Sequence, residues 1–190
     1  MKVTAFNGSP RADGNTFHMI RHVFTALESE GIETELFQLG GRSIRGCAAC
    51  FGCARNKDGR CAVDDVVNEC IEKIVGSDGI ILASPTYFAD VTSEMKALID
   101  RAGMVARVNG HMFKRKAGAA VVAVRRAGSI HVFDSINHFF LIGQMIVPGS
   151  IYWNMGLGQK KGDVEGDVEG IDTMKALGEN MAWLIKKTHG

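Results

Sequence analysis

The sequence predicts a three-layer α/β domain: a five-stranded parallel sheet in the order 2-1-3-4-5 with helices on both faces. Three observations carry this expectation. Segments of strand and helix character alternate along the 190 residues. Two of the strand segments are unbroken apolar runs, as strands covered on both faces require. Regular alternation implies parallel strands joined by right-handed crossovers, and five of them suit the doubly wound order 2-1-3-4-5.

Each element has its own justification. Lys2–Asn7 (KVTAFN) carries β-branched and aromatic residues and stops at Gly8, which makes it the first strand. Asn15–Ser29 places Phe17, Ile20, Phe24 and Leu27 at helical spacing, with Asn15 or Thr16 able to cap it and Gly31 after its end. Glu33–Leu39 (ETELFQL) alternates, as a strand with one more exposed face does. Asp64–Val75 is a helix with Val66, Val67, Cys70, Ile71 and Ile74 inward. Gly79–Ser84 (GIILAS) and Ala117–Val124 (AGAAVVAV) are the unbroken runs, followed by helices over Thr92–Met104 and Ile130–Met145. Ile146–Trp153 is expected as the fifth strand and Ile171–Lys187 as the closing helix. Gly162–Gly170 (GDVEGDVEG) reads as an acidic surface loop. No linker divides the chain, so residues 1–190 are expected to form one domain, with a cysteine-rich loop at 46–62.

Composition narrows the function. Lys plus Arg number 22 against 21 Asp plus Glu, a net charge of +1. That balance gives no electrostatic case for nucleic acid or an anionic membrane as partner. No apolar run approaches the roughly 20 residues of a membrane span. The opening MKVTAFNGSPR has no apolar leader core or cleavage site, so a cytoplasmic location is expected.

Ligands of open α/β sheets sit beyond the carboxyl ends of the strands. There, Gly8-Ser9-Pro10-Arg11-Ala12-Asp13-Gly14-Asn15-Thr16 joins the first strand to a helix N-terminus. Unpaired N–H groups and the positive dipole end favour an anion at such a place. Two better-known phosphate loops are excluded: Asn15 stands where a Walker A loop needs Lys, and no G-x-G-x-x-G occurs. No cysteine has Arg six positions on, so the loop of a low-molecular-weight phosphatase is absent too. What remains is a cradle of neutral donors for a phosphate monoester, or an ordinary turn with a polar cap.

Cys47, Cys50, Cys53 and Cys61 fall within 15 residues. Such runs wrap thiolates around a cubane cluster, whereas a zinc ribbon wants two separated C-x2-C knuckles. The alternatives are free thiols or a disulfide. Cys70 lies on a buried helical stripe and reads as a core residue. His18 and His22, an i, i+4 pair, read as a solvated helix face. His131 and His138 lie near the loop after the fourth strand, one of them close enough to be a candidate partner of a bound ligand.

Taken together, these motifs resemble the NAD(P)H-dependent FMN reductases of flavodoxin-like fold. Gly8-Ser9-Pro10-Arg11 with Gly14-Asn15-Thr16 resembles their phosphate loop. Ser84-Pro85-Thr86-Tyr87-Phe88, with Lys96 and Asp100-Arg101 beyond it, resembles their second flavin loop. The cysteine run with Asp64-Asp65 is similar to the iron–sulfur flavoprotein branch. The resemblance implies FMN, held through its phosphate by Ser9, Arg11, Asn15 and Thr16. It places Pro85, Thr86, Tyr87 and Phe88 along the isoalloxazine ring and has Arg125, Arg126 and Gly128 close the site. It implies a 4Fe–4S cluster on Cys47, Cys50, Cys53 and Cys61, NAD(P)H as transient co-substrate, small-molecule donors and acceptors or a ferredoxin, and a homodimer or homotetramer. A cluster-free NAD(P)H:quinone reductase, a dehydrogenase for one small metabolite, and a non-enzymatic electron carrier or redox sensor are the competing readings.

Overall fold

Val3, Ala5, Ile81, Ala83, Ala119, Val121 and Ala123 point to one side of the central strands, and Phe6, Ile80, Leu82, Ala120 and Val122 to the other. Both sets are buried, so each strand needs helices above and below it. The computed structural model, which describes residues 1–189, supplies them. In chain order the elements are β1 (Lys2–Asn7), α1 (Asn15–Ser29), β2 (Glu33–Gln38), α2 (Gly52–Asn56), α3 (Val66–Val75) and β3 (Gly79–Pro85). They continue with α4 (Ser93–Val108), β4 (Ala117–Val124), α5 (Ser129–Ile142), β5 (Met155–Leu157) and α6 (Val168–His189).

The sheet runs β2-β1-β3-β4-β5, all parallel, as expected. Helices α1 and α6 cover one face through Ile20, Val23, Phe24, Leu27, Met174, Leu177, Met181 and Ile185. Helices α3, α4 and α5 cover the other through Ile71, Ile74, Met95, Leu98, Val105, Ile136, Phe139 and Phe140. Each such side chain contributes about 1.5–3 kcal/mol on leaving water. Cys70 is fully buried among them, and burial pushes its thiol up to about 12. No described helix is long and apolar enough to cross a membrane.

Three expectations need correction. The fifth strand is not Ile146–Trp153. Ile146 makes one isolated parallel bridge to Ala117, the chain then leaves the sheet edge, and pairing resumes only at Met155–Leu157. Pro148 lies within the departing stretch and has no N–H to continue the ladder. Second, Gly162–Gly170 is not a loop but a 3₁₀ turn (Asp163–Gly166) and the first turn of α6. Two of its acids hold backbone: the Asp163 carboxylate accepts the Gln159 and Lys160 N–H groups of the preceding turn, and Asp167 caps α6 by accepting Gly170 N–H and also accepts that of Leu157. Third, the cysteine-rich loop contains a short helix, α2, and α4 runs on past Gly103 to Val108.

Candidate functional site

The loop after β1 is built by its neighbours' backbone. Gly8 N–H donates to Ala83 O at 2.7 Å, and Thr92, which caps α4, donates its hydroxyl to Gly8 O at 2.9 Å. The Gln38 amide, itself held by Asn7, donates to Ser9 O (2.7 Å) and Gly40 O (2.9 Å). Gly40 lies so close that a Cβ there would sit 2.3 Å from the Ser9 carbonyl. The Ser9 hydroxyl accepts the Arg11 N–H at 3.2 Å and keeps its own proton to donate. No side chain caps α1, and its first intrahelical bond runs from His18 N–H to Gly14 O. The N–H groups of Asn15, Thr16 and Phe17 therefore precede the helical ladder, the arrangement that suits an anion.

Two expected donors behave differently from each other. Thr16 is buried in the first turn of α1. The Asn15 side chain is taken: its amide donates to Lys160 O (2.9 Å) and accepts Gly162 N–H (2.9 Å). The segment after β5 thus clasps the start of α1. Lys161 pairs with Asp13, and Glu165 bridges His18 and His22 at 2.8 Å each. Hydrogen bonds from His22 and His18 hold the Glu165 carboxyl below the usual range. So the histidine pair is not simply solvated; its partner arrives from far along the chain.

The second and third loops meet beside this mouth. Pro85 ends β3, and Thr86 donates its N–H to Ala123 O at 2.9 Å. Tyr87 and Asp90 exchange backbone hydrogen bonds around a tight turn with Phe88 (φ 49°) and Ala89 (φ 61°) at its tip. Phe88 is fully exposed and Tyr87 half exposed. Gly128, at φ 88°, packs onto this turn; a Cβ there would meet Ala89 Cα at 3.0 Å. Arg125 and Arg126 are exposed beside it. His131 is exposed on the first turn of α5, whereas His138 lines a separate groove between α4 and α5.

The four clustered cysteines surround one cavity. Cys47, Cys50, Cys53 and Cys61 line about 300 Å³ of space backed by Arg101, Met104 and Val105 of α4. Cys47 and Cys50 are exposed, Cys53 is buried, Cys61 is intermediate, and all are free thiols. Burial pushes the Cys53 thiol up. Left-handed backbone occurs at Ala49, Phe51 and Lys57. Gly52 serves close packing, since a Cβ there would lie 2.5 Å from Ala62 Cβ. Asn68 fixes the Cys61 backbone, accepting its N–H (2.8 Å) and donating to its carbonyl (3.1 Å). Among the described residues no three His, Cys, Asp or Glu side chains converge on a single ion. A cubane asks for something else: each thiolate binds a different iron, so the sulfurs must surround a space.

Residues 1–160 match the NADPH-dependent FMN reductase family. The chain belongs to that family. An iron-sulfur flavoprotein of Methanocaldococcus jannaschii is 37% identical over 193 residues, covering 98% of each chain. One from Methanosarcina thermophila is 32% identical, covering 98% of this chain and 96% of its own. Among solved structures, a WrbA-like flavodoxin protein from Agrobacterium tumefaciens superposes with a TM-score of 0.67 at 13% identity, covering 98% of this chain and 97% of that one. The fold is therefore flavodoxin-like, and this FMN reductase-family chain is a flavin oxidoreductase or electron carrier.

In this FMN reductase-family protein the three loops expected around the flavin do come together at one edge of the sheet, and the four cysteines at one cavity. Asp100 and Arg101, grouped by sequence with the second loop, line the cysteine cavity instead. Gln38, Gly40 and Thr92 were missed. The Gly40-Gly41 pair after the second strand was the one available signal, because nothing in the sequence shows what a glycine packs against.

Proposed function

We propose that this chain is an electron-transfer flavoprotein that holds FMN at the β1–α1 mouth and a 4Fe–4S cluster in the cysteine cavity, with NAD(P)H as transient donor. The observation that carries the reading is a single helix with an end at each place. Thr92, the cap of α4, bonds the carbonyl of Gly8, and Arg101, Met104 and Val105 of the same helix wall the cavity lined by all four thiols.

The residues fit these groups. Three free N–H groups, the Ser9 hydroxyl and the dipole of α1 would receive the phosphate, with Arg11 adding charge from outside. Asn15 would contribute its N–H rather than its engaged side chain. Pro85, Thr86, Tyr87 and Phe88 would line the ring, and Arg125, Arg126 and Gly128 would close the site, the arginines favouring an anionic reduced flavin. Exposed Phe88 and Tyr87 suit a second copy of the chain completing the pocket. FMN exchanges one or two electrons and so joins a two-electron donor to a one-electron cluster. The protein's share is to orient, tune and shield.

Anaerobic purification with visible spectra and iron and sulfide assays tests this. Yellow-brown protein with four irons per chain is expected; the quadruple Cys→Ser variant at 47, 50, 53 and 61 loses the iron and keeps FMN. Protein that emerges colourless and takes up no added FMN overturns the flavin reading. The exposed Cys47 and Cys50 favour a second reading, oxidant-sensing thiols beside a flavin. Iron-free yellow protein supports that one instead.

A further inference from the structure

Arg101 is buried to 1% exposure in α4, the largest side chain so fully enclosed. Its guanidinium ties both ends of the cysteine loop together. Nη1 donates to Arg45 O (3.2 Å), just before Cys47, and Nη2 donates to Val63 O (3.0 Å), just after Cys61. The Asp65 carboxylate takes the fork face-on, with Nη1–Oδ2 at 2.6 Å and Nη2–Oδ1 at 2.7 Å. The remaining edge points at sulfur: Nε and Nη2 both lie 3.4 Å from Cys61 Sγ. An arginine that served only to clasp the loop would be satisfied by the carboxylate and the two carbonyls. Those partners use both hydrogens of Nη1 and both of Nη2, so the Nε–H aimed at Sγ is left over from that role, and Nη2 reaches Sγ by sharing one of its own.

Resting on the cluster reading above, we propose that Arg101 and Asp65 set the reduction potential of the cluster through Cys61. Adding one electron to a 4Fe–4S centre adds one negative charge to the cluster and its thiolates. Hydrogen bonds to sulfur and nearby positive charge stabilise that reduced form and raise the potential. Arg101 supplies both. Asp65 cancels most of its charge and leaves the directed N–H groups, so the pair raises the potential moderately. Burial makes the effect larger than a surface pair could produce. Arg101 is a positioning and tuning residue; it bonds a ligand sulfur and need not touch any substrate.

The two partners should therefore act with opposite sign. Anaerobically purified wild type, Arg101→Gln, Arg101→Lys and Asp65→Asn are titrated with dithionite, which delivers one electron per cluster. The electron paramagnetic resonance signal of the reduced cluster gives the midpoint, and iron and sulfide are assayed in parallel. Arg101→Gln moves the midpoint to more negative potential. Asp65→Asn moves it to more positive potential, since Asn keeps the helix cap at Val67 but leaves the cation uncompensated. Arg101→Lys keeps the charge without the paired N–H groups and falls between wild type and Gln. Should Arg101→Gln not hold a cluster, the Lys and Asn variants decide by the same signs. Midpoints that stay put, or move the same way in both partners, overturn the proposal alone. A wild-type chain with bound FMN but neither iron nor sulfide overturns it together with the cluster reading.

Discussion

The loop after β1 and the cysteine loop after β2 each follow a strand of the sheet, yet they are built by opposite means. Residues 8–16 have no left-handed backbone, and they are held by strands and caps: Ala83 O, the Gln38 amide and Thr92. Residues 46–62 contain left-handed Ala49, Phe51 and Lys57 and are held by side chains from distant elements: Asn68, Arg101 and Asn109. Strained backbone persists only where the surroundings over-determine it, and it gathers at ligand sites. The first loop is shaped by the fold itself; the second is shaped by a handful of polar contacts around a space.

That contrast can be broken by substitution. Gly40→Ala should have the largest effect, because its Cβ meets backbone atoms of Ser9 and Gly8 that have no room to yield. We expect a loss on the order of 3 kcal/mol, measured by urea denaturation, together with weakened FMN binding by fluorescence titration. Unchanged FMN affinity would show that the mouth is less rigidly built than described. Asn68→Ala acts on the other loop. It leaves the Cys61 N–H and carbonyl unpaired beside a nearly buried site and should cost about 2 kcal/mol. Iron content should fall while FMN affinity holds; a fall in both would mean the two regions are not separable.

The turn after β3 offers a gain of stability. Phe88 sits fully exposed at φ 49°, where a bulky residue is strained by about 1–2 kcal/mol. Phe88→Asn should raise the urea midpoint by about 1 kcal/mol of stability and lower flavin affinity, a trade that a purely structural turn would not show. The smallest effect belongs to the clasp on α1. Glu165→Gln should cost a few tenths of a kcal/mol to about 1. The native Glu165 carboxyl is held down by His22 and His18, so its contribution is full above its ordinary value of 4.5 and is lost as pH falls through the lowered value. The variant's stability should accordingly decline less steeply with acid than the wild type's; parallel curves would remove Glu165 from the clasp.

Much of the first region was legible in sequence. The apolar runs GIILAS and AGAAVVAV, the strand-ending Gly8 and the stripe along α1 follow from periods of two and 3.6 that any buried strand or helix must obey. The fifth strand was not legible, because Ile146 has strand character and only the lost N–H of Pro148 and the edge position decide where pairing resumes. Asp167 of GDVEGDVEG looked like solvated charge, since a cap and a loop residue are the same letter until a helix begins beside it.

The sequence by itself determined the layering, the strand order, the turn between the first strand and its helix, and the spacing of four thiols. These depend on neighbours along the chain and on periodicity. Tertiary structure alone decided that Asn15 would be spent on the 160–162 backbone, that Glu165 would reach His18 and His22, and that Arg101 would face Cys61. Those contacts join residues 40 to about 150 positions apart. A side chain's partner at such range is fixed by how helices seat on the sheet, and no local pattern encodes it.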